Sequence, residues 1–175
     1  CSDDISVCNI DFNIDIKEQR ELLESELKIN GDIYEYVERK NDHKKVFDNK
    51  FFDDENLKNV IFYFNSGIEY KYDIKNKTFN IKQKDLTGRS FFIGGEINNI
   101  QIIYNGKLEY YQNKLAKRLD AKNLTGCLSF IKVKFNKTSL ISNNSTCEDG
   151  INLINSSGKI KNIFSNNSLY DAIDM

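Results

Sequence analysis

Residues 143–153, NNSTCEDGINL, are echoed at residues 166–175, NNSLYDAIDM, 22 to 23 positions further along the chain. The segment GCLSF at residues 126–130 matches the same phrase one step earlier. Each copy places two apolar residues two positions apart behind a group of Asn, Ser, Gly or Asp. A period in the low twenties, carried by short strand-like segments, is typical of a solenoid whose turns stack.

The repeat predicts which side chains stack on one another. Side chains alternate between the two faces of a strand, and neighbouring strands lie about 4.8 Å apart. Equivalent residues of successive turns should therefore form ladders. Two inward ladders and one outward row are expected, namely Leu128–Ile151–Ile173 and Phe130–Leu153–Met175 inward, and Ser129–Asn152–Asp174 outward.

Strand patterns extend well upstream of this repeat. Apolar runs at residues 60–64 and 68–74 flank an Asn-Ser-Gly turn, which predicts a β-hairpin. Further strand-like runs occupy residues 78–82, 90–95, 97–104 and 108–111. The segment GEINNI at 95–100 also matches GKIKNI at 158–163, an offset of 63 that corresponds to three periods of 21.

The first third of the chain has a different pattern. Residues 16–29, IKEQRELLESELKI, alternate apolar and charged residues at a spacing that predicts a short amphipathic helix. Residues 38–58 are highly charged and indicate a connector held down by phenylalanines. We therefore expect residues 1–58 to cap a β-rich region at 59–175, which becomes stacked turns by about residue 86.

The motifs of the C-terminal part resemble a known family. The segments GCLSF, CEDGINLI (147–154), SGKIKNI (157–163) and NNSLYDAIDM are similar to the turns of bacterial right-handed parallel β-helix proteins of the pectate-lyase-like fold. The resemblance covers residues 123–175. It implies a mainly β chain that forms a right-handed parallel β-helix. The repeat period gives turns of about 22 residues, and the N-terminal helix and hairpin are the expected cap. Family members are mostly uncharacterised envelope or secreted proteins, so it also implies an extracellular or cell-envelope location.

Acidic residues are the first candidates for chemistry. Glu148, Asp149 and Asp171 would lie on neighbouring turns, where carboxylates could share a calcium ion, and no other cofactor is expected. Asp149, Asp171 and Asp174 are also the candidate catalytic acids of a polysaccharide lyase or hydrolase. The alternative is that each Asp caps a corner by accepting backbone N–H groups. Asn152 and Asp174, predicted to face outward, are candidates for ligand contact.

Basic residues give a weaker signal. Lys132 and Lys134, in the run IKVKF, are candidate ligand contacts beside these acids, although a solvated strand face is the favoured explanation of both. The single histidine, His43, excludes a Ser–His or multi-His zinc site built within this sequence. The 25 basic and 26 acidic residues are interleaved, which argues against a nucleic-acid partner.

The four cysteines allow three pairings. Cys127 and Cys147 are 20 positions apart, two or three short of one turn. That mismatch predicts a separation of roughly 8 Å, beyond the usual Cα limit of about 7 Å for a disulfide, unless a bend at the corner closes it. A disulfide between Cys127 and Cys147 is expected if the chain bends in this way.

The sequence leaves three functions open. The first is a secreted or surface-anchored β-helix module, structural or glycan-binding, without catalysis in this segment. The second is a carbohydrate-active enzyme completed by turns beyond Met175, and the third is a phage or adhesin fibre segment. There is no membrane-spanning apolar run, and Cys1 followed by polar residues would suit a lipid anchor. A polysaccharide or cell-surface glycan is the expected partner, with Tyr70, Tyr72, Tyr110 and Tyr111 as candidate stacking residues.

Overall fold

The computed structural model describes residues 47–86, 88–107, 126–168 and 171–175. Their regular secondary structure consists of strands, so the described chain is mainly β, as predicted. The thirteen strands are β1 (Phe47–Phe52), β2 (Leu57–Lys58), β3 (Val60–Asn65), β4 (Ile68–Asp73), β5 (Thr78–Gln83), β6 (Ser90–Ile93), β7 (Glu96–Asn98), β8 (Gln101–Asn105), β9 (Gly126–Ile131), β10 (Lys134–Ser145), β11 (Asp149–Ile154), β12 (Ser157–Ser168) and β13 (Asp171–Asp174).

The strands form two sheets. The six-stranded sheet has the order β1-β3-β6-β9-β11-β13. The seven-stranded sheet has the order β2-β7-β10-β8-β5-β4, and β12 pairs with the long strand β10 as well. From β6 onward the chain passes from the first sheet to the second and back. Each return places the new strand parallel to its equivalent of the previous turn.

The register of the six-stranded sheet follows the sequence repeat. Ile151 pairs with Leu128 on one side and with Ile173 on the other, as the inward ladder predicts. Leu153 likewise pairs with Phe130. Met175 was expected to extend this second ladder, but it lies after the end of β13 and is 80% exposed. That last step of the prediction is wrong, because Met175 does not enter the core.

Aromatic side chains fill the space between the sheets. Phe62, Phe92 and Phe130 occupy paired positions on β3, β6 and β9, and their ring centroids are 4.7 and 5.2 Å apart in that order. Phe79 of the other sheet packs against Phe62 and Phe92. All four rings are fully buried, so the two sheets share one hydrophobic core.

The central strands of the six-stranded sheet are buried on the second face as well. Phe92 belongs to the shared core, so the alternation of side chains directs Phe91 and Ile93 to the opposite face, yet both are buried. Ser129 and Asn152 lie on that second face and are buried too. The expectation that this row faces solvent is therefore wrong for these two residues, whereas Asp174, on the last strand, is exposed.

Asparagines form the corners, which are the bends where the chain passes from one sheet to the other, as the repeated NNS segments suggest. Asn144 and Asn167 have φ angles of 54° and 58°, in the left-handed region that Asn tolerates better than most residues. The side-chain amide of Asn167 donates a 2.9 Å hydrogen bond to Oδ1 of Asn144. Lys132 and Asn155 take the same backbone conformation at the preceding corner. The NNS segments thus turn the chain from one sheet to the other.

Two predictions for the upstream region are wrong. β3 and β4 do not pair as a hairpin, because the turn at residues 65–67 carries the chain into the other sheet, where β4 pairs with β5. Oδ1 of Asn65 holds that corner by accepting from the backbone N–H groups of Gly67 and Arg89. β1 is a strand antiparallel to β3, so the β-rich region begins before residue 59. The helix predicted at 16–29 lies outside the described residues.

Candidate functional site

The strand register brings most of the predicted acidic residues together. Asp149 of β11 pairs with Asp171 of β13, and Asn152 pairs with Asp174. The side-chain amide nitrogen of Asn152 lies 3.4 Å from Oδ2 of Asp149 and 3.4 Å from Oδ2 of Asp174. The amide therefore bridges two carboxylates on neighbouring turns.

This acidic cluster is only partly open to a ligand. Asn152 is 1% exposed and Asp149 is buried, whereas Asp171 and Asp174 are exposed. The hydrogen bond from the buried amide of Asn152 to the buried carboxylate of Asp149 stabilises the fold, because it satisfies two groups that are costly to remove from water. Asn152 is thus placed as a structural bridge and not, as predicted, as a solvent-facing ligand contact.

We expect Asn152→Asp to lower the free energy of unfolding by about 2 kcal/mol at pH 7, since it replaces a buried donor with a third carboxylate. Burial and the two neighbouring carboxylates would raise the pKa of the new carboxyl above its unfolded value. The difference in the free energy of unfolding between the variant and the natural protein should therefore shrink as the pH falls towards 4. Urea denaturation across this pH range measures it. Asn166→Asp, on an exposed strand position, is the matched control and should change stability little. Equal losses of stability in the two variants would contradict the role of Asn152 as a bridge between carboxylates.

In the part of the chain that the structure describes, the acidic cluster has too few close ligands for a metal ion. No three His, Cys, Asp or Glu side chains there are close enough together to hold a metal ion. Glu148 is half-buried at the corner before β11. A calcium site formed by Glu148, Asp149 and Asp171 stays a prediction.

The candidate lysines lie away from these acids. Lys134 is on β10 in the seven-stranded sheet, whereas Asp149 and Asp174 are on the six-stranded sheet. Nζ of Lys134 lies 3.5 Å from Oε1 of Glu96, on the preceding turn, in a partly exposed ion pair. Such a pair contributes little to stability. Lys132 lies at the corner that leads into β10, with a φ angle of 53°.

The two inner cysteines form a disulfide. Cys127 and Cys147 are both buried and their Cα atoms are 5.3 Å apart. Cys147 precedes Asp149, which pairs with Gly126, so it is out of register with Cys127. The corner at residues 146–148 bends the chain back enough to close the gap that straight strands would leave. The disulfide thus joins two successive turns.

Two of the tyrosines that were expected to stack on sugars pack against other aromatic side chains of the protein instead. Tyr70 packs edge-on against Phe62 and Phe64, and burial raises the pKa of its hydroxyl. Tyr72 stacks on Phe79 and donates a 2.8 Å hydrogen bond to Oδ1 of Asp54. Burial, followed by that carboxylate, raises the pKa of Tyr72. These tyrosines cover the core, and Tyr110 and Tyr111 lie outside the described residues.

A different surface has the character of a binding site. It is the outer side of the four strands β5, β8, β10 and β12, which we call the amide face. Its side chains alternate with the buried residues Ile102, Tyr104 and Leu140, and they are half-buried or exposed. Three rows cross the strands in register, namely Thr78–Gln101–Ser139–Asn162, Asn80–Ile103–Ile141–Phe164 and Lys82–Asn105–Asn143–Asn166.

The rows of the amide face are ordered by side-chain hydrogen bonds. Asn143 donates through its amide nitrogen to Oδ1 of Asn105 at 3.1 Å, and Asn162 donates to Oγ of Ser139 at 3.3 Å. The central row lies between the two rows that these hydrogen bonds order, and it ends at Phe164, whose side chain is 55% exposed. The prediction from sequence missed this surface. The alternation of TSLISNN at 138–144 with the matching NIFSNN at 162–167 is the signal that could have revealed it.

The described chain is thus a mainly β protein of two curved sheets with a row-patterned outer face. Comparison with protein-family models, with curated proteins and with solved structures finds no match. Within the described ranges, no helix has the length and apolar character needed to cross a membrane.

Proposed function

We propose that the turns from β6 to β13 belong to a right-handed parallel β-helix and that the amide face binds a glycan. The parallel return of each turn onto the last one, at steps of 22 to 23 residues in the C-terminal part, supports the solenoid. The resemblance of residues 123–175 to pectate-lyase-like proteins supports it as well. The exposed ring of Phe164 between two rows of amides is the observation that carries the binding proposal.

The chemistry of the amide face suits a polysaccharide. Sugar hydroxyls both donate and accept hydrogen bonds, as do side-chain amides and hydroxyls. The C–H face of a sugar ring packs on apolar and aromatic side chains such as Ile141 and Phe164. Amide or hydroxyl side chains recur on each of the four strands, which lie about 4.8 Å apart, so a polymer with a short repeat could contact several strands at once. The near absence of charge on these rows favours a neutral glycan.

The proposed location is extracellular or in the cell envelope. A buried disulfide between successive turns persists most readily in an oxidising compartment.

We expect Phe164→Ala to weaken glycan binding about tenfold, since stacking and burial of one exposed ring contribute on the order of 1–2 kcal/mol. A glycan array identifies the ligand, and titration calorimetry measures its affinity. Phe51→Ala removes another exposed ring, 43% accessible on β1, and is the matched control that should leave binding unchanged. An array without signal across polyuronates and cell-wall glycans, or equal losses in both variants, would contradict the proposal.

A further inference from the structure

The chain leaves β8 through an Asn-Gly pair, Asn105 and Gly106. Asn105 is the last residue of the strand and its side chain is exposed. Glycine is required at position 106, because a Cβ atom there would overlap the carbonyl oxygen of Asn144. Glycine has no side chain and the widest choice of backbone conformations, so its nitrogen is the least hindered of any residue. The close packing at this corner therefore puts such a nitrogen directly after an exposed asparagine.

An Asn-Gly pair loses ammonia in a reaction that needs no enzyme, and asparagine is a thermolabile residue. The nitrogen of Gly106 attacks Cγ of Asn105, and the side-chain nitrogen leaves as ammonia with the proton of the Gly106 N–H group. A succinimide ring remains. Water then opens the ring at either carbonyl carbon, which leaves aspartate or isoaspartate at position 105. In isoaspartate the side-chain methylene has become part of the main chain.

The folded protein keeps the two reacting groups apart. The N–H group of Gly106 donates a 2.8 Å hydrogen bond to the carbonyl oxygen of Asn143. The side-chain amide of Asn143 in turn donates a 3.1 Å hydrogen bond to Oδ1 of Asn105. β8 is also paired on both sides here, since Asn105 lies opposite Lys82 of β5 and Asn143 of β10. The Gly106 nitrogen cannot turn towards Cγ of Asn105 while these bonds remain.

We propose that Asn105 is a deamidation site and that Asn143 protects it in the folded protein. Reaction then requires the end of β8 to open locally, and the free energy of that opening lowers the rate. The loss of ammonia does not reverse, so the fraction of deamidated chains records how much time this corner has spent open. The inference does not depend on glycan binding, because it concerns the covalent chemistry of one residue.

The two products have different consequences for the fold. Isoaspartate lengthens the backbone by a methylene group, which displaces Gly106 from the carbonyl groups of Asn143 and Asn144 that now surround it. Aspartate leaves the backbone unchanged, and its carboxylate accepts the hydrogen bond from Asn143 and lies opposite Lys82. Isoaspartate should therefore destabilise the end of β8, whereas aspartate should not.

Peptide mapping of the full chain by mass spectrometry tests the site. At mildly alkaline pH, Asn105 should deamidate at least about tenfold more slowly in the folded protein than in the same protein unfolded by guanidinium chloride. Asn30 also precedes a glycine, and in the unfolded protein it gives the intrinsic rate that Asn105 should approach. Equal rates at Asn105 with and without denaturant would overturn the proposal. So would an Asn105 that stays intact in denaturant while Asn30 reacts.

Asn143→Ala tests the protecting residue. Loss of its hydrogen bond to Asn105 should speed deamidation at Asn105 in the folded protein about three- to tenfold. Asn166→Ala is the matched control, because Asn166 lies in the same row of the amide face but beyond Asn143. Circular dichroism establishes that both variants are folded. Equal rates in the two variants would show that the side chain of Asn143 does not protect Asn105. The comparison with denaturant uses the natural protein, so it decides even where Asn143→Ala does not fold.

Asn105→Asp separates the effect of charge from that of the longer backbone. Ion-exchange chromatography isolates the deamidated natural protein by its added negative charge, and peptide mapping gives its share of isoaspartate. The form rich in isoaspartate should unfold at a lower urea concentration than Asn105→Asp, which has the same charge on an unchanged backbone. Identical denaturation midpoints would overturn the predicted misfit of isoaspartate at this corner.

Discussion

Replacing Cys127 and Cys147 together by alanine is expected to lower the free energy of unfolding by about 3 kcal/mol. The disulfide closes a loop of 20 residues, almost one whole turn of the fold, and joins β9 to the corner before β11. Its removal frees the unfolded chain to adopt conformations that the cross-link excludes. Alanine is preferred to serine here, because a hydroxyl at these buried positions would need a new hydrogen-bond partner.

Guanidinium denaturation of the natural protein and of the double variant measures this effect. The natural protein unfolded in the presence of a thiol reductant should match the variant, which separates loss of the cross-link from loss of packing. A double variant with an unchanged denaturation midpoint would show that the two sulfur atoms are not joined in the folded protein.

The sequence was most informative where the repeat is uninterrupted. Between residues 126 and 175 the steps of 23 and 22 correctly placed Leu128, Ile151 and Ile173 in one ladder. The reason is physical: a strand has a period of two, so a register error of one residue would turn the whole apolar set to the wrong face. Sequence similarity between turns therefore translates directly into register.

The first turn was harder to predict because residues 106–125 interrupt the repeat. Ile163 pairs with Leu140, which pairs with Ile102. The structure thus aligns Ile163 with Ile102 two turns earlier. The sequence match had aligned Ile163 with Ile100 at three periods of 21, and that alignment is wrong. An insertion changes the offset between equivalent residues, and the sequence alone did not show where the insertion begins.

Exposure was the least predictable property of the candidate site. Alternation assigned Asn152 correctly to the face opposite Ile151, but Asn152 is buried there. Periodicity determines which way a side chain points, and other parts of the molecule determine whether solvent reaches it. Because solvent exposure could not be predicted, the sequence analysis missed the amide face and favoured the acidic cluster as the candidate site.

The largest loss of stability is expected for Phe92→Ala, about 4 kcal/mol, because the change leaves a large cavity between two packed sheets. Phe92 is fully buried on β6, with Phe62 and Phe130 at the paired positions on either side and Phe79 across the core at a centroid distance of 5.1 Å.

Three neighbouring rings would lose contacts at once, and the paired backbones of β3, β6 and β9 limit how far the sheets can collapse into the space. Urea denaturation followed by circular dichroism measures the change. Phe164→Ala removes the same side chain from the exposed face and should cost no more than about 0.5 kcal/mol. Similar losses in the two variants would mean that the aromatic column does not hold the sheets together, since burial is what distinguishes the two positions.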